Sequence, residues 1–314
     1  MTGKEIIKYL EEWAPKGISW DKDNVGLQVG DPEFKIKNIL LSLDFTKHGV
    51  SYQLAKRLSL RKIRFLKNLF ENQFKLAVFV PVSHINKVAE VIHQSGGGII
   101  GEYSHCSFRT AGTGTFKGSN QSNPSIGKKS VVESVEEVKL EVLVDQWNLN
   151  QVIRAMKKVH PYEEVAYDVF PLKNNNANYG IGAIGELKDT MDTNDFLRFV
   201  SSKLKTSTLR YTHSKKKKIK TVAVCGGSCG ELVDEAIRQN ADAFVTADLK
   251  YHTFQDAEGK ILLIDAGHYE TEVPILDEIK KRLESFLNQN RKIKVLKFKG
   301  STNPIVFYNK SGAN

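Results

Sequence analysis

Apolar residues along the chain recur at two different spacings. From Gly3 to Trp13 they stand three and four positions apart, which predicts an amphipathic helix. Residues 38–44 (NILLSLD) form a short apolar run that ends on an acid, which predicts a buried strand. This alternation of helix and strand predicts an α/β fold, in which parallel strands end at a ligand crevice.

The basic stretch from residue 46 to residue 74 interrupts the alternation. Its residue types are those of a helix, and no second strand is predicted at the place where an alternating fold needs one.

A different order of elements follows in the middle of the chain. The pattern predicts, in turn, a strand at 75–82, a helix at 84–95, glycine-rich turns and extended chain at 96–116, a strand at 135–144, a helix at 149–159 and a strand at 165–172. Strand, helix, strand, strand, helix, strand is the order of a ferredoxin-like α+β unit. Residues 174–178 (NNNAN) are predicted to be a linker.

After the linker, strands and helices alternate again. Apolar runs predict strands at 218–225, 243–246 and 261–265, and helical spacing predicts helices at 195–204, 231–239, 251–257 and 270–286. Short connections between such units indicate a mostly parallel sheet covered by helices. We therefore predict a discontinuous α/β domain from residues 1–74 and 175–314, with an α+β domain at 75–174 inserted into it.

Cysteine usage and hydropathy narrow the cellular setting. The chain has three cysteines, Cys106, Cys225 and Cys229, an odd number in a protein of 314 residues that can bury a core without crosslinks. Three residues separate Cys225 from Cys229, which fits neither a redox CxxC pair nor half of a zinc knuckle, so we interpret the thiols as structural or incidental. The sequence has no run of about 18 apolar residues, so we expect a cytoplasmic protein without a membrane partner.

The net charge of +10 raises the question of nucleic acid. The basic residues fall in three clusters, at 57–67, 215–218 and 280–299, with no helix-turn-helix, zinc finger or aromatic–basic pattern among them. Clusters of this kind favour solvated faces over a nucleic-acid groove, so nucleic acid is not an expected partner.

His268 and Glu272 are the strongest candidates for chemistry. Residues 262–272 read LLIDAGHYETE, which predicts a strand, a glycine turn and the start of a helix. Because residues four positions apart share one face of a helix, the imidazole and the carboxylate can chelate one divalent cation, such as zinc, manganese or iron. The alternative is a surface histidine beside a carboxylate that interacts with the helix dipole.

Two other strand ends carry similar residues. Asp248 and His252 follow the strand at 243–246 and can face the same edge of the sheet, unless Asp248 caps the next helix and His252 lies on its surface. Asp44 ends the strand at 38–44, and we interpret it as a helix cap. The glycine-rich turn at 225–230 (CGGSCG) is a weak signal for a phosphate site, because the full dinucleotide or P-loop pattern is missing.

Ordered phrases in both halves of the chain resemble one known family. The phrases are DNVGLQVG, LSLDFT, GEYSHCSFRTAGTGTF, HPYEEVAYDV, FVTADLKYH and IDAGHYETE. They are similar to the Nif-three-like family, also called GTP cyclohydrolase I type 2 homologues, in its longer bacterial form. The resemblance implies two related α/β halves, an inserted PII-like domain, a homohexamer, an undefined small-molecule ligand and a dinuclear metal centre. It also implies that His268 and Glu272 are metal ligands, because GHYETE matches the family's C-terminal ligand motif.

The resemblance does not extend to residues 56–74. The family follows LSLDFT and its helix with a strand that ends in His-His-Pro, and later supplies a ligand Asp, whereas this chain has no adjacent pair of histidines. The resemblance leads us to expect one or two ions per chain. Because these ligands are deleted, the expected number is at most one unless Asp44, Asp248 or His252 replaces a missing ligand.

Two functions follow from these features. The first is a divalent-metal-binding protein with cyclohydrolase-like, metal-dependent hydrolase activity, in which His252 moves a proton. The second is a non-catalytic oligomeric scaffold or small-molecule-binding protein, which the loss of the histidine pair favours.

Overall fold

The computed structural model describes residues 1–13, 27, 31–36, 38–41, 49–287 and 293–307. It divides into two compact units. The first unit is Met1–Lys67 together with Ile181–Asn314, and the second unit is Asn68–Gly180. The chain passes between the units within two strands rather than within a linker.

The described elements alternate along most of the chain. The helices are α1 (Gly3–Trp13), α2 (Val50–Arg57), α3 (Ile85–Gln94), α4 (Gln146–Val159), α5 (Thr193–Leu204), α6 (Val233–Arg238), α7 (Tyr251–Ala257), α8 (His268–Glu272) and α9 (Ile275–Phe286). The strands are β1 (Asn38–Leu41), β2 (Arg61–Phe70), β3 (Gln73–Pro81), β4 (Phe108–Lys117), β5 (Val132–Asp145), β6 (Tyr167–Leu172), β7 (Asn175–Asp192), β8 (Arg210–Tyr211), β9 (Lys218–Ser228), β10 (Ala243–Ala247), β11 (Leu262–Asp265) and β12 (Lys294–Lys297). Among the described helices, none has the length and apolar character that crossing a membrane requires. The cytoplasmic location stays a prediction.

The first unit is built around a mixed sheet with the strand order β2-β7-β9-β10-β11-β8. β9, β10 and β11 run parallel to one another. β7 pairs with β9 in the antiparallel direction, and β8 pairs with β11 in the same way. The prediction of a mostly parallel sheet therefore describes the centre of the sheet and is wrong for these flanking strands.

The central strands are apolar on both faces because helices cover both faces. Val222 and Ile264 pack with residues of α2 and α5 on one face, and Phe244 and Leu263 pack with residues of α6 and α7 on the other. Strands buried on both faces appear in a sequence as continuous apolar runs. This is why the sequence pattern located all three.

β2 corrects the prediction of helix up to residue 74. The helix in this region, α2, ends at Arg57, and Arg61–Phe70 forms an edge strand beside β7. Lysine, arginine and leucine favour helix by only a few tenths of a kcal/mol, about the size that pairing in a sheet overrides. The exposed Arg64 and Lys67 place charge on this edge, which discourages pairing with other chains.

β7 corrects the prediction of a linker at 174–178. Asn176 is fully buried, and its side-chain amide donates to Oδ1 of Asp145 at 3.0 Å. Its carbonyl accepts a hydrogen bond from the Asn68 side chain at 2.8 Å. Asparagine is typical of loops because its side chain competes for backbone bonds, but here the buried amide contacts stabilise a strand.

Pro274 divides the helix that the pattern predicts at 270–286. α8 ends at Glu272, and Pro274 is the N-cap residue of α9. Proline lacks a backbone N–H and clashes with the preceding turn, so it is tolerated at the start of a helix and not inside one. The short α8 is therefore a separate element.

β1 lies in a small second sheet of the first unit. Among the described residues it pairs only with β12, in the parallel direction. Ile6 of α1, Leu283 of α9 and Val295 of β12 form a buried cluster with their neighbours. The predicted strand at 38–44 is described as far as Leu41.

The second unit has the ferredoxin-like order of elements that the sequence predicts. β3, α3, β4, β5, α4 and β6 follow one another, and the sheet order is β4-β5-β3-β6 with antiparallel pairs throughout. Ile92 of α3 and Val152 of α4 pack against Val78 and Leu140 of the sheet. A closer relation of this unit to PII proteins stays a prediction.

Candidate metal centre

The carboxyl ends of β9, β10 and β11 meet at one edge of the main sheet because the three strands are parallel. Two residues, Ala266 and Gly267, connect the end of β11 to the start of α8. Gly267 has a φ of +90°, a backbone conformation that glycine adopts without a clash. This turn places the first residue of α8, His268, beside the strand ends.

His268 and Glu272 lie on the same face of α8. Nε2 of His268 stands 3.3 Å from Oε1 of Glu272. The Glu272 side chain is 12% exposed and the His268 side chain is 39% exposed, so the imidazole is the more accessible of the two groups. A nitrogen and an oxygen bound to one tetrahedral zinc ion are about 3.4 Å apart at the usual bond lengths. The spacing of this pair therefore fits a shared cation.

Asp248 contacts the other ring nitrogen of His268. Its Oδ2 lies 2.5 Å from Nδ1. The N-cap residue of α7 is Lys250, and no side chain forms a capping hydrogen bond there. Asp248 is therefore not the cap of this helix, which was the alternative interpretation of the sequence. A carboxylate on Nδ1 selects the tautomer in which Nε2 carries the free lone pair. Asp248 thus orients the imidazole toward Glu272.

The two carboxylates raise the pKa of His268 from 6.5 to about 9. The hydrogen bond with Glu272 is the largest cause; partial burial opposes it, and the hydrogen bond and charge of Asp248 add to it. The metal-free site therefore keeps a proton on His268 at neutral pH. A cation that binds Nε2 must displace that proton.

Gly227 forms one side of the candidate site. It has a φ of +71°, and a Cβ at this position would lie 2.5 Å from Oε1 of Glu272 and 3.3 Å from Nε2 of His268. Its N–H donates to Oγ1 of Thr271 at 3.0 Å, and Thr271 donates in turn to the carbonyl of His268 at 2.9 Å. The lack of a side chain at Gly227 leaves the space that the two candidate ligands occupy.

Two backbone N–H groups of the turn at 225–230 form internal hydrogen bonds. The N–H of Gly226 donates to Oγ of Ser51 at 3.4 Å, and the N–H of Gly227 is bonded to Thr271. A phosphate site needs free backbone N–H groups, and these two are already used. The weak phosphate signal in the sequence therefore gains no support from them.

Asp265 is a structural carboxylate whose role no sequence pattern predicts. Its Oδ1 accepts the N–H of Gly267 at 3.2 Å, and its Oδ2 accepts the N–H of Leu249 at 3.1 Å. The carboxylate also pairs with Arg210. These bonds join the ends of β10 and β11. The one sequence feature that hints at this role is the acidic residue at the end of the strand.

His252 lies exposed on the first turn of α7. Its ring contacts the ring of Tyr251, with the centroids 5.8 Å apart. In the part of the chain that the structure describes, no hydrogen bond or ion pair joins it to His268, Glu272 or Asp248. Its role in proton transfer stays a prediction, and Asp44 lies outside the described residues.

The donor set is small. No group of three or more His, Cys, Asp or Glu side chains suited to one ion occurs within the described ranges. The site in the described residues consists of His268 and Glu272, with Asp248 behind the imidazole.

The fold and the site together define a class of protein: a mixed α/β unit with histidine and carboxylates at the ends of its parallel strands, interrupted by a ferredoxin-like unit. Within that class, the chain belongs to the Duf34/NIF3 (NGG1p interacting factor 3) family, whose model matches residues 1–50 and 41–304. The family resemblance noted in the sequence is thus confirmed.

Individual relatives are similar over most of the chain. The GTP cyclohydrolase 1 type 2 homolog of Halalkalibacterium halodurans is 40% identical over 253 residues, which are 80% of this chain and 68% of the relative. The homolog of Bacillus subtilis is 30% identical over 369 positions, covering 98% of this chain and 99% of the relative. The crystal structure of a Bacillus cereus protein related to NIF3 has a TM-score of 0.80 and 28% identity, over 98% of this chain and 99% of that chain.

The relatives contain sequence that this chain lacks. The alignment with the Bacillus subtilis relative runs over 369 positions, whereas this chain has 314 residues. The family match falls into two pieces that overlap at residues 41–50, and the overlap ends at the first residue of α2. Both observations agree with a segment of the relatives that has no counterpart in this chain. That this segment carries His-His-Pro stays a prediction.

Proposed function

We propose that the protein binds one divalent cation through Nε2 of His268 and a carboxylate oxygen of Glu272. The observation that carries the proposal is the 3.3 Å separation of these two atoms. Zinc, iron and manganese all accept a nitrogen and an oxygen ligand together. Because the chain has no adjacent pair of histidines, we propose that these two protein donors support one weakly bound ion rather than a dinuclear centre.

Asp248 supports the site without being a ligand. Its carboxylate accepts the Nδ1–H of His268, which is the usual arrangement behind a metal-binding histidine. Because Asp248 is 20 residues away from His268 in the chain, this contact depends on the fold bringing the two strand ends together. The orientation of the imidazole is therefore set before a cation arrives.

Metal-dependent hydrolysis is the activity that we propose for this site. The name of the relatives, GTP cyclohydrolase 1 type 2 homolog, points to this class of reaction. When bound, a divalent cation supplies Lewis acidity to water or to a substrate oxygen. His268 and Glu272 bind the ion, and His252 is the candidate for proton transfer.

A pair of variants on α8 tests the proposal. Glu272→Gln keeps the shape of the side chain and removes its charge, and Glu270→Gln does the same at a residue whose Oε1 accepts a hydrogen bond from Asn303 at 3.1 Å. Titration of the metal-free protein with Mn²⁺ should show binding at least about tenfold weaker in Glu272→Gln, since even the outer partners of a ligand account for about 10–100-fold. Glu270→Gln should bind like the wild type. Equal affinity in the two variants contradicts the proposal.

A cavity in the second unit favours the alternative function, a small-molecule-binding protein or non-catalytic oligomeric scaffold. Its volume is about 430 Å³, and its lining includes the apolar Phe108 and Ile100 together with the polar Gln73, Lys75 and Asn178. Pockets of about 300–1,000 Å³ with this mixture commonly take small ligands. A metabolite that raises the Tm of the full chain, with the rise lost in Phe108→Ala, would support this function. No rise across a nucleotide and amino-acid panel would contradict it.

The homohexamer is part of both proposals. Analytical ultracentrifugation of the full chain measures it directly, and a monomer at micromolar concentration would contradict it.

A further inference from the structure

Cys225 and Cys229 lie beside the candidate metal site with their sulfurs in bonding contact. Their Cα atoms are 6.1 Å apart, inside the range of about 4.4–6.8 Å that a disulfide spans. Both side chains are buried, at 3% and 2% exposure. The spacing in the sequence fits no CxxC pair, but β9 continues to Ser228 and a 3-10 turn begins at Gly230, which brings the two cysteines together.

The segment between the two cysteines reaches the metal site. Its middle residue, Gly227, stands against the side chains of Glu272 and His268. The carbonyl of Gly227 accepts a hydrogen bond from Thr246 at 2.9 Å, and its N–H is bonded to Thr271 of α8. A bond between the two cysteines therefore closes a short loop that includes one side of the site.

The reduced form has a weaker restraint on the same loop. Sγ of Cys229 lies 3.5 Å from the carbonyl of Gly226, so a Cys229 thiol can donate a weak hydrogen bond there. Oxidation removes this donor and joins the ends of the loop covalently. The crosslink restricts the loop more than one weak hydrogen bond does, because it removes conformations of the chain outright.

We propose that Cys225 and Cys229 form a reversible, peroxide-oxidised thiol pair that regulates cation binding at His268 and Glu272. The regulatory step rests on the metal-binding function proposed above. The oxidised form binds the cation more tightly, because the loop then keeps Gly227 in place beside Glu272 and the site is organised before binding.

A peroxide is the two-electron oxidant that converts the two thiols to a disulfide. One cysteine thiol loses its proton, its thiolate attacks a peroxide oxygen, and the O–O bond breaks to give a sulfenic acid and a hydroxide, which takes up the released proton as water. The second thiol loses its proton, its thiolate attacks the sulfenic sulfur, the S–S bond forms and the S–O bond breaks, and the departing hydroxide takes up that proton to leave as a second water. A dithiol reductant of the thioredoxin class returns both thiols by exchange, so in a reducing compartment the pair is oxidised only transiently.

Manganese binding to the full chain in both redox states tests this regulation. Mn²⁺ is the probe because it prefers oxygen and nitrogen ligands to thiolates, so the cysteines do not compete as ligands. Metal-free protein is reduced with a dithiol or oxidised with hydrogen peroxide, and peptide mass spectrometry measures the loss of two hydrogens from the pair. The oxidised protein should bind Mn²⁺ about tenfold more tightly than the reduced protein, the lower end of effects seen for groups behind metal ligands.

Two variants make the test specific. Cys229→Ala removes the crosslink and should give one Mn²⁺ affinity in both conditions. Cys106→Ala removes the third thiol, which lies in the second unit, and should keep the full response. A response that follows Cys106 instead of Cys229 overturns the proposal.

The remaining outcomes separate this inference from the proposed function. If peroxide forms no crosslink between the pair, or if the crosslink leaves the Mn²⁺ affinity unchanged, the regulation is overturned and metal binding stands. If Mn²⁺ binds in neither state, metal binding is refuted, and the regulation of it is refuted as well. Amide hydrogen exchange is a separate readout that needs no metal: slower exchange of residues 226–229 and 268–272 after oxidation supports the coupling between the loop and α8, and equal exchange overturns it.

Discussion

Replacing Gly227 by alanine should impair the cation site more than the fold. The φ of +71° at this residue costs an L-amino acid about 1–2 kcal/mol. The new Cβ would also lie 2.5 Å from Oε1 of Glu272, a distance at which the carboxylate must move. Because Nε2 of His268 stands 3.3 Å from the same point, the methyl group enters the space between the two candidate ligands.

Gly259→Ala is a matched control for the backbone strain. Gly259 has a φ of +73°, and a Cβ there would meet Cε of Lys215 at 3.7 Å, an ordinary contact. Both variants should therefore lose about 1–2 kcal/mol of the free energy of unfolding, measured by urea denaturation of the metal-free protein. Mn²⁺ titration should show about 10–100-fold weaker binding in Gly227→Ala. Gly259→Ala should keep the wild-type affinity.

Two results would refute this reasoning. Equal Mn²⁺ affinities in Gly227→Ala and Gly259→Ala would mean that the position of Glu272 does not matter for binding. A loss of stability in Gly227→Ala far larger than in Gly259→Ala would mean that the methyl group disturbs the core instead of displacing only the Glu272 carboxylate.

Four further predictions follow from contacts at the same strand ends. A proton on His268, with a pKa of about 9, must leave before a cation binds. At pH values below about 9, the Mn²⁺ affinity should therefore increase by up to about tenfold for each unit by which the pH is raised. A flat profile between about pH 6 and pH 8 in calorimetric titrations would contradict this. Without metal, the raised pKa stabilises the fold fully below about pH 6.5, and this stabilisation is lost as the pH rises through about 9, so His268→Ala should lower the Tm at acidic pH more than at alkaline pH. Asp248→Ala should weaken Mn²⁺ binding about 10–100-fold, and Asp248→Asn should weaken it less because its amide oxygen still accepts the Nδ1–H; equal losses would show that the hydrogen bond is not the cause. Asp265→Ala should lower the free energy of unfolding by about 2 kcal/mol or more, because the N–H of Gly267 and a second backbone N–H lose their acceptor. The exposed ion-pair residue Asp195 is the control, and its replacement by alanine should cost less than about 1 kcal/mol in urea unfolding.

The parts of the fold that sequence patterns located are those with a strong local signal. α1 has the predicted bounds, Gly3–Trp13, because its amphipathic spacing defines the helix by itself. The central strands were found because burial on both faces leaves continuous apolar runs. β2 and β7 have no such signal. β2 is basic and lies at an edge, and β7 begins with asparagines, of which Asn176 is buried through contacts with distant parts of the chain.

The residues of the candidate site also differ in whether a local sequence pattern predicts them. His268 and Glu272 were predicted because their spacing of four after a glycine turn is a local pattern of one short helix. The sequence suggested that Asp248 faces the same edge, but its contact with Nδ1 depends on the parallel pairing of β10 and β11. The contact between Cys225 and Cys229 depends on a turn that begins after β9, which no spacing rule describes.

The most direct test of the account is the metal content of protein purified without chelators and then titrated with Mn²⁺. We expect saturation at about one ion per chain, as two protein ligands support. Binding should be lost in His268→Ala and kept in His213→Ala, which changes an exposed histidine of the same unit. Two tightly bound ions per wild-type chain, or undiminished binding in His268→Ala, would contradict the account.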